Sequence, residues 1–294
     1  MHVFRGESRG VGVACVIAIA AFGACRAERA RPEQRAAAAR TAPDAVPPAS
    51  AAAAARAQAP APPAAAPGLP PLAGEPLVDL PVPDHEPAVV SVPLGTTDAR
   101  PVVVATHGNF DRPEWQCEVW GAALDGVFTL CPRGVRRSDV SRKLDRWTYG
   151  GAPALEKEIA AGLSALERRF SGRASEARPI FVGFSLGAIL GVRLLARSPT
   201  PFPRAVLIEG GNKWTAAQAR QFAAGGGKKL LFVCAQAGCR GVAEPSARLL
   251  GRAGVAARVA DAGNVGHTYD GVVAAKVTEH WAWLLAPSDD AGAP

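Results

Sequence analysis

The sequence predicts an α/β fold of three layers, in which helices cover both faces of a mostly parallel sheet. Short, almost fully apolar segments are typical of strands that are buried on both faces, and they occur at 101–108, 126–132, 178–184, 204–211 and 228–235. Helical patterns lie between most of these segments, as the crossover connections of parallel strands require. Only a short interval separates Gly211 from Lys228, which predicts little or no cap domain.

The elements of the first half follow from local patterns. Residues 88–94 (AVVSVPL) predict an edge or entry strand before the strand at 101–108. Pro113 stands at the start of a predicted helix over 112–124, where a missing N–H is tolerated. Residues 152–170 have apolar side chains at helical spacing and end before Ser171 and Gly172, so they predict a longer helix.

The second half continues the alternation. After the strand at 178–184, the sequence LGAILGVRLLAR predicts a helix over 186–197. A helix that starts with a proline is predicted over 244–254, a strand over 255–263 and a closing helix over 268–286. The predicted domain therefore extends over 75–287.

The two ends have compositions that do not predict a packed core. Arg5 and Arg9 precede an apolar run that ends in small residues, which is typical of a signal peptide over 1–24. FGAC resembles the lipobox of bacterial lipoproteins, which implies a lipidated Cys25 and membrane attachment; ordinary cleavage nearby and an uncleaved anchor are the alternatives. Alanine and proline dominate 25–74, which predicts a disordered tether, and 288–294 is predicted to be a disordered tail.

Charge and cysteine content limit the possible partners. Residues 1–74 contain eight arginines and four acidic residues, so only +3 of the net charge of +7 belongs to the rest of the chain. The basic stretch at 134–143 (GVRRSDVSRK) has no interleaved aromatic residues, so it predicts a solvated loop and no nucleic-acid partner. Cys234 and Cys239 flank a short turn and are predicted to form a disulfide, which leaves Cys117 to pair with Cys131. A zinc site is the alternative, but no C-x₂-C pair occurs, so no metal is expected.

The sequence GFSLG, residues 183–187, stands between a predicted strand and a predicted helix. In that setting it resembles the nucleophile elbow of the α/β-hydrolase family, and the order of elements over 88–286 resembles the same family. The resemblance implies that Ser185 is a nucleophile whose hydroxyl points away from a strained turn. The alternative is a serine that caps a helix in a glycine-rich turn.

The same resemblance implies a histidine base and an acid after Ser185. His267 follows the last predicted strand, where the family places its base, whereas His280 lies within the closing helix. The usual acid position, after the strand at 228–235, has no carboxylate. Glu209 is the predicted acid, with Glu244 and Asp261 as alternatives, and Gln236 could orient the imidazole only by a neutral hydrogen bond.

The His-Gly turn in THGNFD, residues 106–111, matches the family's oxyanion loop. The resemblance implies that the main-chain N–H groups of Asn109 and Leu186 form the oxyanion hole, and that His107 is structural. Phe110 and Trp214 are predicted to bind substrate. Trp115 and Tyr149 are further candidates for a pocket lining, although ordinary core packing explains all of these aromatic residues as well.

The expected function is that of an exported serine hydrolase that cleaves a small-molecule ester or acyl substrate and requires no cofactor. A peptidase or amidase would use the same three residues. A non-catalytic, lipoprotein-anchored binding domain on a hydrolase scaffold is the alternative from another class, because the usual acid position lacks a carboxylate. The sequence leaves the oligomeric state open.

Overall fold

A computed structural model describes residues 68–287. The predicted signal peptide at 1–24, Cys25, the predicted tether up to residue 67 and the predicted tail at 288–294 lie outside the described residues. Within residues 68–287, no helix combines the length and the apolar character that crossing a membrane requires.

The elements alternate between strands and helices along the described chain. The strands are β1 (Leu77–Leu80), β2 (Ala88–Ser91), β3 (Val102–Thr106), β4 (Phe128–Cys131), β5 (Val135–Arg136), β6 (Trp147–Thr148), β7 (Ile180–Phe184), β8 (Arg204–Ile208), β9 (Lys229–Cys234) and β10 (Ala256–Asp261). The helices are α1 (Pro113–Ala123), α2 (Ala152–Arg169), α3 (Leu186–Leu195), α4 (Ala216–Ala224), α5 (Ala237–Arg252) and α6 (Val272–Leu285), with a 3₁₀ turn at Arg142–Leu144.

Eight of these strands form one sheet in the order β1-β2-β4-β3-β7-β8-β9-β10. Strands β4, β3, β7, β8, β9 and β10 are parallel to their neighbours in that order, whereas β1 and β2 form an antiparallel edge. Strands β5 and β6 form a separate antiparallel pair. The carboxyl ends of the parallel strands therefore meet at one edge of the sheet, where ligands bind in open α/β sheets.

Helices bury both faces of this sheet. On one face, α2, α3, α4 and α5 contribute core residues that include Leu155, Val192, Phe222 and Leu250. On the other face, the core contains residues from α1 and α6, among them Trp120, Val277 and Leu284. Along β3, Val102 and Val104 pack in the first core, and Val103 and Ala105 in the second. This alternation follows from the two-residue period of a strand, and it confirms the predicted three-layer α/β fold.

The sequence did not predict β1, β5, β6 or α4, and it placed the start of helix α5 too late. The sequence predicts that this helix starts with the proline at 245, but α5 begins at Ala237 and contains Pro245 in its interior. Proline at the first turn is a common helix start, so the pattern favoured the later boundary. The disulfide-bonded Cys239 lies in the earlier turn, which hydrophobic spacing does not indicate.

The start of the domain also differs from the predicted boundary at residue 75. The N–H of Leu69 donates to the carbonyl of Thr97 at 2.9 Å, and the N–H of Leu72 donates to that of Thr96 at 3.0 Å. The side chain of Leu72 packs against the core. Attachment to the domain therefore begins about six residues earlier than the composition of the tether indicated.

Both predicted disulfides are present. Cys117 on α1 pairs with Cys131 at the end of β4, with Cα atoms 5.9 Å apart. Cys234 at the end of β9 pairs with Cys239 in the first turn of α5, with Cα atoms 5.4 Å apart. The two disulfides lie in different parts of the fold. Only the Cys234–Cys239 bond is close to the carboxyl ends of β8 and β9, where Glu209 lies.

Candidate active site

Ser185 lies at the junction between β7 and α3. Its φ and ψ angles are 50° and −113°, a conformation that L-amino acids other than glycine rarely adopt. The N–H of Ser185 donates to the carbonyl of Ile208 at 3.0 Å, and the N–H of Gly187 donates to that of His107 at 3.1 Å. These hydrogen bonds hold the turn against the ends of β8 and β3. The neighbouring strands therefore stabilise the strained backbone conformation of Ser185.

Glycine is required around Ser185 because other backbone segments approach closely. A Cβ atom on Gly183 would lie 2.8 Å from the Cα of Ala188, and one on Gly187 would lie 2.6 Å from the carbonyl oxygen of Thr106. On the adjacent strand end, a Cβ on Gly210 would lie 2.4 Å from the carbonyl oxygen of Ser185. A side chain at these glycines would therefore clash with neighbouring backbone, so the overall abundance of glycine in the chain does not by itself explain the motif.

His267 lies in the loop between β10 and α6 and reaches Ser185 directly. Its Nε2 atom is 2.8 Å from Ser185 Oγ, which is hydrogen-bond length. The imidazole ring packs against Phe184 with ring centroids 4.8 Å apart, and 45% of the side chain is exposed. The ring can therefore exchange protons both with the serine and with a molecule that enters from solvent.

Glu209 lies on the opposite side of the imidazole. Its Oε2 atom is 3.6 Å from His267 Nδ1, an ion-pair distance that exceeds hydrogen-bond length, and only 3% of its side chain is exposed. The second oxygen, Oε1, accepts the N–H of Gln236 at 3.0 Å and a short hydrogen bond from the N–H of Ala235. Two backbone donors stabilise an ionised carboxylate, so this acid can balance a positive charge on the imidazole.

The two alternative acids are bound elsewhere. Asp261 accepts from Arg240 Nη1 at 2.5 Å and from the N–H of Gly263 at 2.9 Å, and these two donors lower the pKa of its carboxyl. Glu244 lies 3.8 Å from Arg240 within α5. Gln236 contributes its main-chain N–H to Glu209. Of the three candidate acids, the structure thus brings Glu209 to His267.

The predicted oxyanion donors lie beside the serine. Leu186 is the first residue of α3, and a Cβ on Gly108 would lie 3.3 Å from the Cβ of Ser185, so the loop with Asn109 adjoins the hydroxyl. Within the part of the chain that the structure describes, the N–H groups of Asn109 and Leu186 have no hydrogen-bond acceptor. Both donors are therefore available to an anion, and the α3 dipole adds positive potential at Leu186.

The oxyanion loop has a rigid support. His107 is fully buried, and its Nδ1 and Nε2 atoms contact the carbonyl oxygens of Gly108 at 2.7 Å and Arg133 at 3.0 Å. The Tyr149 hydroxyl accepts the N–H of His107 at 3.0 Å, and the two rings stack. Burial lowers the pKa of His107, although both carbonyl contacts oppose the shift. His107 and Tyr149 thus fix the loop from inside.

The aromatic residues have different locations. Phe110 in the oxyanion loop is 43% exposed and has a positive φ of 65°. Trp115 is 38% exposed on α1. Trp214 is only 4% exposed, donates from Nε1 to the carbonyl of Gly211 at 2.9 Å and packs on Phe222. The structure therefore places the Trp214 side chain in the core, with an acceptor for its indole N–H, and its predicted contact with substrate stays a prediction.

The basic loop at 134–143, which the sequence predicts to be solvated, also lies next to the site. Arg137 donates to the side-chain oxygen of Asn109 at 2.7 Å and lies over the ring of Phe110 at 5.5 Å. Arg146 lies over the rings of both Phe110 and Trp115, at 5.4 and 4.8 Å. Strand β6 brings these arginines to the oxyanion loop, because the N–H of Phe110 donates to the carbonyl of Trp147 at 3.0 Å. No local sequence signal indicated this pairing.

Glu209, Cys234 and Cys239 are the group of potential metal ligands that converges near the site. The two sulfur atoms are bonded to each other, so they do not offer the thiolates that a zinc ion requires. The Glu209 carboxylate therefore lies next to the loop that the Cys234–Cys239 disulfide closes.

Comparisons of the sequence with known proteins give one partial match. No family model matches the chain. The biotin biosynthesis bifunctional protein BioHC of Cellvibrio japonicus (strain Ueda107) is 35% identical over 103 residues, so the match spans 34% of this chain and 17% of that protein.

Three solved structures can be superposed on this chain over nearly their whole length. Esterase PE8 has a TM-score of 0.50 at 20% identity, over 71% of this chain and 100% of that one. TT1662 from Thermus thermophilus has a TM-score of 0.51 at 17% identity, over 72% and 98%. The fluorophosphonate-binding serine hydrolase FphF of Staphylococcus aureus has a TM-score of 0.52 at 12% identity, over 74% and 100%. The chain has the three-layer α/β-hydrolase fold.

Proposed function

We propose that this protein is a serine hydrolase that cleaves carboxylic esters through an acyl-enzyme. The observation that carries the proposal is that a hydroxyl, an imidazole and a buried carboxylate lie next to one another in this order. Ser185 Oγ is 2.8 Å from His267 Nε2, and His267 Nδ1 is 3.6 Å from Glu209 Oε2. Nucleophile, base and orienting acid in this geometry are the components of serine-hydrolase catalysis.

The first half-reaction acylates the serine. His267 Nε2 takes the proton of Ser185 Oγ as this oxygen forms a bond to the carbonyl carbon of the ester. Glu209 stabilises the imidazolium, because its carboxylate faces Nδ1 and is held by two backbone N–H groups. Collapse of the tetrahedral intermediate breaks the bond to the alcohol oxygen, which receives the proton from Nε2.

The main-chain N–H groups of Leu186 and Asn109 stabilise the negative oxygen of that intermediate. They are suited to this function because, among the described residues, they have no other acceptor. In the second half-reaction, His267 takes a proton from water, and the resulting hydroxide attacks the acyl carbon. The acid product leaves, and Ser185 regains its proton from Nε2.

The names of the structural neighbours support the choice of an ester substrate over other acyl substrates. One neighbour is an esterase and another is a fluorophosphonate-binding serine hydrolase. α4 is the single helix between β8 and β9, and no cap domain lies within residues 68–287, so no such domain restricts access to Ser185 there.

The decisive experiment treats the purified wild-type domain with a fluorophosphonate probe and with matched p-nitrophenyl acetate and acetyl p-nitroanilide substrates. We expect covalent labelling and faster hydrolysis of the ester than of the anilide, because the ester has the better leaving group. Faster anilide hydrolysis would favour an amidase. Folded protein that neither labels nor hydrolyses either substrate would favour the non-catalytic binding domain.

We further propose that the protein is exported and attached to a membrane through a lipid on Cys25. The signal-like sequence before Cys25 and the two disulfides support export, because disulfides persist in oxidising compartments. We expect Cys25→Ser to move the protein from the membrane fraction to the soluble fraction and to abolish incorporation of radiolabelled palmitate. Equal fractionation of the wild type and the variant would contradict lipid attachment at this cysteine.

A further inference from the structure

The disulfide Cys234–Cys239 lies against the carboxylate of Glu209. A carboxylate oxygen and both sulfur atoms lie within 4.8 Å of one another, and both cysteines are buried. The bond joins the last residue of β9 to the first turn of α5 and so closes a loop with four intervening residues. This is the strand end where the family usually carries its acid, and here it carries the loop instead.

Ala235 in this loop contacts the segments of both proposed catalytic partners. Its N–H donates to Glu209 Oε1, as does the N–H of Gln236 at 3.0 Å. The carbonyl of Ala235 accepts the N–H of Gly266 at 3.2 Å, one residue before His267. The main chain on either side of Ala235 thus contacts both Glu209 and the segment of His267, and it fixes the position of the acid relative to the base.

Besides the disulfide, the loop is held by the buried Ala235 and by the hydrogen bonds to Glu209 and Gly266. Gln236, Ala237 and Gly238 are exposed, and a Cβ on Gly238 would meet nothing within 4 Å. Within the loop, one backbone hydrogen bond joins the N–H of Cys239 to the carbonyl of Gln236 at 3.1 Å. Without the covalent bond, the segment regains conformational entropy and its two amides are no longer held toward Glu209.

We propose that the Cys234–Cys239 disulfide positions Glu209 against His267, because it fixes the main chain of Ala235 between them. The inference rests on the proposed function, since it assigns a role within the same site. It makes hydrolysis dependent on the oxidation state of a bond that takes no part in the reaction. Cys234 and Cys239 are positioning residues in this scheme, and neither contacts the substrate.

The test compares two double variants that each remove one disulfide. In C234A/C239A, kcat per titrated active site falls about 10²-fold, the typical loss when a catalytic group is misplaced by about 1 Å, while KM stays close to the wild-type value. In C117A/C131A, the melting temperature falls but kcat per active site is unchanged, because that bond joins α1 to β4 away from Glu209. A purely structural role would give the same result for both variants.

Reduction provides a second measurement if C234A/C239A folds poorly. In C117A/C131A the remaining disulfide of the domain accepts two electrons and two protons from dithiothreitol, which becomes its cyclic disulfide, and two thiols form. We expect kcat to fall as the thiols appear and to recover when oxidised dithiothreitol reforms the bond. The near-ultraviolet circular dichroism reports whether the fold persists.

The outcomes separate this inference from the proposed function. Unchanged kcat per active site, in folded C234A/C239A or in reduced C117A/C131A, overturns the positioning role and leaves the serine hydrolase intact. A folded wild-type protein that neither labels with fluorophosphonate nor hydrolyses esters overturns the proposed function itself. Loss of kcat in both double variants to the same extent also contradicts the inference, because the effect is then not specific to the loop at Glu209.

Discussion

Ser185→Ala abolishes fluorophosphonate labelling and lowers kcat/KM for p-nitrophenyl acetate on the order of 10⁴- to 10⁶-fold, the loss seen when a serine nucleophile is removed from such a triad. Alanine lacks the oxygen that attacks the carbonyl, and His267 then has no hydroxyl at 2.8 Å to deprotonate. The measurement is steady-state hydrolysis together with probe labelling and intact mass.

The fold should tolerate this substitution. Alanine keeps the Cβ atom of serine, so the positive φ of 50° at residue 185 is no more strained than in the wild type. Ser164→Ala is a matched control, since Ser164 lies on α2 and its hydroxyl donates to the carbonyl of Ala160 at 3.0 Å. We expect the control to label and hydrolyse as the wild type does. Labelling of Ser185→Ala at the wild-type rate would identify another nucleophile and refute the mechanism.

Local patterns were sufficient for the fold class because most of the long strands and helices have their own periodicity. The unbroken apolar segment of β7 and the helical spacing of α2 require no knowledge of distant residues. The disulfide Cys234–Cys239 could be predicted for the same reason, since its partners are five residues apart. Position in the chain order likewise pointed to Ser185 and His267, which the structure brings within hydrogen-bond distance.

What the sequence did not predict depends on contacts between distant segments. Arg137 reaches Asn109 because β6 pairs with the oxyanion loop, and Trp214 is buried because its N–H finds the carbonyl of Gly211. A hydrophobic pattern records burial but not the partner of a polar atom. The contact of the basic loop with Asn109 and the burial of Trp214 could not be predicted for this reason.

Within residues 68–287, five non-glycine residues have a positive φ, and three of them, Phe110, Ser185 and Glu209, lie around the proposed site. Such conformations cost on the order of 1–3 kcal/mol each and persist where the surrounding structure enforces them. At Glu209 the φ of 47° follows directly after β8, and its N–H donates to the carbonyl of Val233 at 3.2 Å. This geometry turns the carboxylate toward the loop after β9, so the acid and its backbone donors belong to neighbouring strand ends.

Glu209→Gln lowers kcat on the order of 10³- to 10⁴-fold through the tautomer of His267. The amide oxygen of glutamine takes the place of Oε1, because that position accepts the N–H groups of Ala235 and Gln236. Its NH₂ group then faces His267 Nδ1, which must act as an acceptor. The proton of the imidazole moves to Nε2, where it points at Ser185 Oγ and prevents proton abstraction. Steady-state kinetics of the folded variant measures the loss.

Glu244→Gln and Asp261→Asn are the matched controls, since they remove the same charge from the two other candidate acids. Their side chains are 48% and 47% exposed and pair with Arg240, whereas the Glu209 side chain is 3% exposed. We expect both controls to retain wild-type kcat, because neither carboxylate contacts the imidazole. Equal losses in all three variants would indicate a general electrostatic effect of the acids. A loss confined to Asp261→Asn would transfer the acid role to the residue at the end of β10, and Glu209 would then be a structural carboxylate that holds the disulfide loop.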